Sequence, residues 1–453
     1  MPRIVRMRGL LATSIGVTCA AAFALPLTSP ATAAAVRPAP TAEAGAGAAR
    51  AAALPGSTQS LPLTPLTRDR ALGSADRGTR RTDVHRFSLL GVVWDDPDAV
   101  LHGRVQVRTR PAGGEAWSGW QDVETHNADH GADPGTAERT SGHVRGATAP
   151  LWVGESDGVE IRVHPDASLP AGLRLELVDP GGGAAPVHVP VAPRSRALPV
   201  TSTAELSPAE RSASAANAPL ARLGATKITA LDRERTRRGL GTKKTGKHRA
   251  APYIGPRPSI VTRRGWGADE SMREAGFRYT TTVKAAFVHH TATGNNYTCA
   301  QAPSVIRGIY RYHVKSMGWR DIGYNFLIDK CGTIYEGRAG GVTKAVMGAH
   351  TLGFNTNSMG VAVLGTFTSA KPNSATVTAI ARLTAWKLGL FGANPNGKTY
   401  LKSGGGNLYA KGKNVRLNVI SGHRDGFATE CPGKQLYGKL GTARSAAATY
   451  QGR

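Results

Sequence analysis

A histidine and a cysteine stand eight positions apart in Ser421-Gly422-His423-Arg424-Asp425-Gly426-Phe427-Ala428-Thr429-Glu430-Cys431-Pro432. Imidazole nitrogen and thiolate sulfur are ligands that Zn²⁺ favours, and a catalytic zinc needs three protein ligands and one open position. His289 is the third candidate, because His289 and His423 each follow a predicted strand and one sheet could bring both to the same edge. A helix predicted to begin at Cys431 would favour its thiolate form. Spacing alone leaves open a buried thiol without metal.

The elements that must position these residues belong to a domain of mixed α and β, predicted from residue 258 to 453. We predict strands at 284–288, 323–328, 333–336, 359–365 and 415–420, and helices beginning at Pro303 and at Asn373 or Ser374. Helices interleaved with strands indicate a central mixed β-sheet flanked by helices, an α/β class of domain. Tyr324 lies on the strand after the first helix and is a candidate donor to a developing oxyanion.

The pattern of residues 82–180 differs, because short alternating segments at 87–94, 105–110, 159–163 and 173–177 are separated by turn-forming residues. Period-two alternation of this kind predicts an all-β, sandwich-like domain with antiparallel strands. Trp117 and Trp120 in this domain have two open interpretations, stacking on sugar rings or packing within the fold.

Low-complexity stretches flank the β-rich domain. Residues 34–81 are predicted to be a disordered leader, and residues 181–257 a disordered linker that becomes strongly basic. The 453-residue chain carries 57 Lys and Arg against 31 Asp and Glu, a formal net charge of +26. Such a charge indicates an anionic partner, which could be nucleic acid, acidic lipid or an anionic cell-wall polymer.

The first 33 residues narrow that choice. Three arginines precede the apolar run 10–27, and small residues follow, the order typical of a secretory signal peptide. An N-terminal membrane anchor is the alternative, but prolines interrupt the run, and we expect no stable membrane insertion. Export argues against nucleic acid. We therefore expect a secreted, cell-wall-associated monomer whose basic linker contacts anionic wall polymers.

Cysteine usage agrees with an exported protein. Removal of the signal peptide leaves Cys299, Cys331 and Cys431, and an odd number indicates a thiol with another role. We expect Cys299 and Cys331 to form a disulfide in an oxidising exterior, which leaves Cys431 free to bind a metal.

Six segments together resemble the peptidoglycan recognition protein family and the related phage-type zinc amidases. They cover about residues 258–440 in the family's order and are Phe287-Val288-His289-His290-Thr291-Ala292, Gly318-Trp319-Arg320-Asp321-Ile322-Gly323-Tyr324-Asn325-Phe326, Tyr335-Glu336-Gly337-Arg338, Gly348-Ala349-His350-Thr351 with Asn355, Gly360-Val361-Ala362-Val363-Leu364-Gly365, and Gly422-His423-Arg424-Asp425 through Cys431-Pro432-Gly433.

The resemblance implies an N-acetylmuramoyl-L-alanine amidase that uses Zn²⁺ to cleave the amide between N-acetylmuramic acid and L-alanine in peptidoglycan. The residues that match the family's functional positions are His289, His423 and Cys431 as metal ligands, Tyr324 and Thr429 as catalytic residues, and His313, His350 and Asn355 in the substrate groove. Cys431 favours an enzyme, because family members that only bind peptidoglycan commonly lack this ligand. Two alternatives are a non-catalytic peptidoglycan-binding protein and a structural wall protein with a vestigial amidase domain.

Overall fold

The structure is a computed structural model, and it describes residues 55–66, 76–125, 127, 129–182, 206–239 and 253–453. The predicted signal peptide and the most basic part of the linker lie outside these residues. Within the described ranges, no helix is long and apolar enough to cross a membrane.

An antiparallel sheet forms the N-terminal domain, as the alternation predicted. Its strands are β1 (Ser57–Pro62), β2 (Thr64–Pro65), β3 (Arg77–Arg81), β4 (Phe87–Trp94), β5 (Gly103–Pro111), β6 (Gln121–Val123), β7 (Gly146–Ala147), β8 (Leu151–Pro165) and β9 (Arg174–Asp179). The long strand β8 pairs with β4 over its first part and with both β3 and β5 over its second part. Alternate apolar residues of β4, β5, β8 and β9 enclose the core of this domain.

The leader prediction is wrong for its last part. Strand β1 pairs with β9 over six residues, and β3 pairs with β8. The exposed and half-buried residues of β1 give it no apolar face, so its order comes from backbone pairing that composition does not reveal.

The linker prediction is also wrong, for residues 206–239. They form α1 (Pro208–Ala215), β10 (Lys227–Ile228) and α2 (Arg233–Gly239), and β10 pairs with β11 (Ile260–Val261) of the C-terminal domain. Polar contacts hold this segment, including a buried hydrogen bond of 2.8 Å from Asn217 Nδ2 to Glu336 Oε1. Elements this short, held by polar groups, leave little apolar periodicity in the sequence.

The C-terminal domain contains the predicted central mixed sheet flanked by helices. Its further elements are α3 (Arg263–Trp266), β12 (Ala285–His290), α4 (Ala302–Arg311), β13 (Phe326–Ile328), β14 (Ile334–Glu336), β15 (Ser358–Val363), α5 (Ser374–Gly389), β16 (Lys398–Lys402), β17 (Asn414–Asn418), β18 (Ile420–Gly422), α6 (Lys434–Tyr437) and α7 (Leu440–Gln451). The sheet order is β10-β11-β14-β13-β15-β12-β18, with β12 parallel to both β15 and β18. Helices α5 and α7 cover one face, and α4 covers the other.

Strand β4 joins the two domains, because all eight of its residues are buried. Leu90 and Val92 face the core of the N-terminal domain. Leu89 and Val93 face the opposite way and belong to the apolar cluster that contains α4. The N-terminal domain therefore packs against the C-terminal domain through an apolar interface and is not a loosely tethered module.

The predicted disulfide between Cys299 and Cys331 is present and spans 32 positions of the chain. A cross-link over a loop of this length restricts the unfolded chain, so the double variant Cys299→Ser, Cys331→Ser should lose about 2–4 kcal/mol of unfolding free energy. Urea denaturation monitored by tryptophan fluorescence would measure the loss. Wild-type protein in reductant is the matched control, and an unchanged midpoint in both samples would contradict the prediction.

Candidate metal centre

Two neighbouring parallel strands bring His289 and His423 to the same edge of the sheet, as predicted. His289 is near the end of β12, and His423 follows directly after β18, whose last residue pairs with Val288. Because the strands are parallel, their carboxyl ends meet at one edge, and the two imidazole rings lie with centroids 4.5 Å apart.

Cys431 closes the group. Its Sγ atom lies 3.8 Å from Nδ1 of His289, near the separation of about 3.5 Å expected for sulfur and nitrogen ligands on a tetrahedral zinc. Nδ1 of His423 lies 3.5 Å from Oδ2 of Asp129, whereas its Nε2 atom is buried without a hydrogen-bond partner, which is costly unless something else binds it. One ligand atom from each of these three residues lies within 4.8 Å of the others. The residues therefore fit a metal ion.

The orientation of His289 is fixed from behind. Its Nε2 atom lies 3.2 Å from Nδ1 of His350 and 3.4 Å from Oγ1 of Thr351, which leaves Nδ1 to face Cys431. A hydrogen bond to the far ring nitrogen is how proteins commonly fix the tautomer and direction of a metal-binding histidine.

Burial sets the charge of the two imidazoles. It lowers the pKa of His289 well below its usual value, and His423 and His350 lower it further. Burial also lowers the pKa of His423 to about 3. Both rings are therefore neutral near pH 7, which is the form that binds a metal.

The prediction that a helix begins at Cys431 and favours its thiolate is wrong. Helix α6 begins at Lys434, and this short helix is not directly joined to Cys431. Burial raises the pKa of the Cys431 thiol well above its usual value, and the nearby Asp129 carboxylate adds to the rise. The protein groups alone thus disfavour a thiolate, and a divalent cation is the partner that would stabilise one.

Family comparisons agree with this geometry. Residues 279–434 match the family described as N-acetylmuramoyl-L-alanine amidase, and residues 43–198 match the Rv3811 N-terminal galactose-binding domain-like family. Peptidoglycan-recognition protein SC2 of Drosophila simulans is 30% identical over 184 residues, which cover 41% of this chain and 85% of the relative. Protein SC1a of Drosophila melanogaster is 32% identical over 191 residues, covering 42% and 87%. The chain belongs to the peptidoglycan-recognition protein family.

The match of residues 43–198 indicates that the N-terminal domain is galactose-binding-like.

A solved structure of peptidoglycan recognition protein-LE in complex with tracheal cytotoxin is also similar to this chain. The two are 28% identical, and the match covers 40% of this chain and 92% of that one, with a TM-score of 0.33.

The two candidate catalytic residues of this family member both lie beside the metal-binding group. Tyr324 is buried just before β13, with its ring centroid 5.5 Å from that of His289. Thr429 accepts a hydrogen bond of 3.2 Å from the backbone N–H of Cys431 through its Oγ1 atom. The structure thus brings both residues to the site where the sequence predicted them.

The three residues predicted for the substrate groove are buried and make contacts inside the protein. His350 supports His289, as described above. His313 accepts a hydrogen bond of 3.2 Å from the backbone N–H of Gly323 and packs against Trp319 at a centroid distance of 4.4 Å. Asn355 Oδ1 accepts from the backbone N–H of His350 at 2.7 Å. Their role in substrate binding remains a prediction.

Sequence reasoning missed a fourth histidine at this site. His130, from the N-terminal domain, places its Nε2 atom 4.0 Å from Sγ of Cys431 and its ring 4.5 Å from that of His423. It belongs with His289, His423 and Cys431 to the one group of potential metal ligands found in the described residues. The available signal was the adjacent pair Asp129-His130 in a stretch rich in glycine and acidic residues, without strand alternation.

The hydrogen bond behind His289 leads to a test. His350→Ala removes that support, so the affinity for Zn²⁺ should fall about 10–100-fold while the fold remains. Competition with a chromophoric chelator would measure the affinity. The exposed His102 on the N-terminal domain provides the matched control, His102→Ala, which should bind Zn²⁺ like wild type. Equal affinities for all three proteins would show that His350 does not support the metal site.

Proposed function

We propose that the C-terminal domain is a zinc-dependent N-acetylmuramoyl-L-alanine amidase, which hydrolyses the amide between N-acetylmuramic acid and L-alanine in peptidoglycan. The observation that carries this proposal is the convergence of two neutral histidines and Cys431 beside a buried tyrosine. Zinc bound there would polarise the scissile carbonyl and lower the pKa of a water molecule. His289, His423 and Cys431 would hold it.

Tyr324 suits the role of hydrogen-bond donor to the carbonyl oxygen. Burial raises the pKa of its phenol well above 10, and negative charge at Cys431 and Asp129 adds to the rise. The phenol therefore stays protonated at every pH where the protein would work, and its O–H can donate to an oxygen that gains negative charge in the transition state.

Thr429 has a positioning role in this proposal. Its hydroxyl oxygen accepts a hydrogen bond from the backbone N–H of Cys431, so it fixes the loop that carries the sulfur ligand. Glu430, the next residue, instead pairs with Arg424 at 3.0 Å and has a largely exposed side chain. Glu430 is therefore not positioned as the general base that would accept a proton from the attacking water.

The proposed substrate agrees with the charge of the chain. A net charge of +26 favours attachment to an anionic cell wall, and the predicted signal peptide would bring the protein there. Export, wall association and a monomeric state are parts of the same proposal.

A second candidate is recognition of peptidoglycan without hydrolysis. This candidate is favoured by the position of His130, which lies against the metal-binding group, where a catalytic zinc would need an open coordination position. The curated relatives are also named for recognition.

The variant Tyr324→Phe, which removes only the phenol oxygen, distinguishes hydrolysis of peptidoglycan from recognition without hydrolysis. Tyr324→Phe should keep its bound Zn²⁺ but lower the release of stem peptides from purified peptidoglycan about 10²–10³-fold, because one donor to the oxyanion is lost. Mass spectrometry of the products would identify peptides with a free L-alanine N-terminus, and metal analysis would give the zinc content.

The matched control is Tyr400→Phe, which changes an exposed tyrosine on β16 and should leave release unchanged. Release that is insensitive to both Tyr324→Phe and a chelator would exclude the proposed mechanism. Zinc binding without any release from any variant would favour recognition.

A further inference from the structure

We propose that the N-terminal domain holds the amidase site in a closed, inactive form, with His130 as the fourth protein ligand of the metal and residues 129–145 covering the site. This inference rests on the proposed function, because it concerns regulation of the same centre. The segment 129–145 leads into β7 and is called the 129–145 loop below.

His130 has the surroundings of a metal ligand. Its Nδ1 atom lies 3.0 Å from Oδ1 of Asp129, and its Nε2 atom points to Cys431 at 4.0 Å. Both His130 and Asp129 are more than nine-tenths buried. A carboxylate on one ring nitrogen with a metal on the other is a recurrent arrangement at zinc sites, and it fixes the tautomer that binds.

A fourth protein ligand changes what the centre can do. Three protein ligands leave a tetrahedral zinc one position for water or substrate, whereas four are typical of a structural zinc. His130 and the three ligands of the C-terminal domain together form a complete set, with all ligand atoms within 4.8 Å of one another. With His130 as a ligand, a tetrahedral zinc would have no position left for water or the scissile carbonyl.

The loop is anchored on Asn355, a residue that the family resemblance assigned to the substrate groove, and on the neighbouring Gly353. Asp133 Oδ1 accepts hydrogen bonds from Nδ2 of Asn355 at 2.6 Å and from the backbone N–H of Gly353 at 2.8 Å. The carbonyl of Gly131 accepts from the same Asn355 amide at 2.8 Å. The loop therefore occupies the side-chain amide of Asn355, the residue predicted to bind substrate.

A buried ion pair fixes the far part of the loop. Both carboxylate oxygens of Glu138 bind the guanidinium of Arg338, at 2.8 and 2.9 Å, and both side chains are buried. Glu138 also accepts a hydrogen bond of 3.3 Å from the backbone N–H of Arg320. Arg338 lies in one of the family-like segments, and a buried two-point pair between domains defines a single docked position.

Contacts outside the loop support this docked position. The Tyr312 hydroxyl lies at the apolar interface and donates to the carbonyl of Thr148 at 3.1 Å. The backbone N–H of Trp152 donates to the carbonyl of Thr293 at 3.0 Å, and at the last residue of the loop the N–H of Arg145 donates to the carbonyl of Met317 at 3.0 Å. The domain that supplies His130 is thus held in place at the C-terminal end of the loop.

The coordination of the metal tests the inference directly. Full-length protein is loaded with Co²⁺ in place of Zn²⁺, and its visible absorption is recorded with and without azide. In wild type, four protein ligands leave no open position, so azide should not change the spectrum. In His130→Ala the open position should bind azide and shift the spectrum, whereas the control His143→Ala, an exposed histidine of the same loop, should behave like wild type. A wild-type spectrum that responds to azide as His130→Ala does would overturn the inference.

The rate at which stem peptides are released from peptidoglycan provides a second test of the inference. If the closed form makes up nine-tenths or more of the wild-type protein, His130→Ala should release stem peptides about tenfold faster or more. Asp133→Ala keeps His130 but removes an anchor of the loop, so it should raise the rate of release less than His130→Ala does. If a thermal melt shows that His130→Ala is not folded, Asp133→Ala alone provides the test. Equal rates for wild type and both variants would overturn the inference and leave the amidase proposal standing.

The two proposals fail in different ways. Cobalt spectra that behave as expected, with no peptide released by any variant, would confirm the fourth ligand and reject the amidase proposal. Absence of metal binding in wild type and in both variants would reject both.

Discussion

A cluster of buried side chains that can bind a metal is the constraint around which the C-terminal domain is built. Nε2 of His423 is buried without a hydrogen bond, and burial raises the pKa of the Cys431 thiol. A buried imidazole nitrogen without a partner and a buried thiol destabilise a fold less when a divalent cation binds them. Parallel pairing of β12 with β18 brings the histidines together, and the contact with His350 fixes the orientation of the His289 ring. A bound divalent ion would therefore stabilise the fold as well as supply chemistry.

The second organising feature is an interface between domains that reaches this cluster. Strand β4 has no solvent-exposed face, since alternate residues pack into its own domain and onto α4. The apolar packing fixes the N-terminal domain, and the 129–145 loop extends from it to the metal-binding residues. A long polar loop acquires one conformation here because its C-terminal end is held and its acidic side chains find buried partners at Asn355 and Arg338.

The sequence predicted the parts of the site that local patterns encode. His289 and His423 follow strands with clear apolar runs, and Cys431 stands in a recognisable segment, so their convergence could be expected. The contribution of His130 could not, because nothing local shows which surface of one domain packs on another. The ordered segment 206–239 was missed for a related reason, since Asn217 is held by a buried hydrogen bond to Glu336 rather than by an apolar face. The raised pKa of Cys431 depends on burial, which the prediction of a helix beginning at Cys431 did not take into account.

The closed arrangement also bears on how substrate would reach the metal. If Asn355 binds a muramyl peptide, as the family resemblance predicts, the loop and the peptide would compete for its amide. Release of the loop would break the buried two-point ion pair between Glu138 and Arg338, which costs free energy unless another anion replaces the carboxylate. A substrate could meet this cost by supplying an anionic group of its own, and the stem peptide of peptidoglycan carries carboxylates. The free energy of opening would then depend on the wall polymer itself, which would favour activity where the substrate is concentrated.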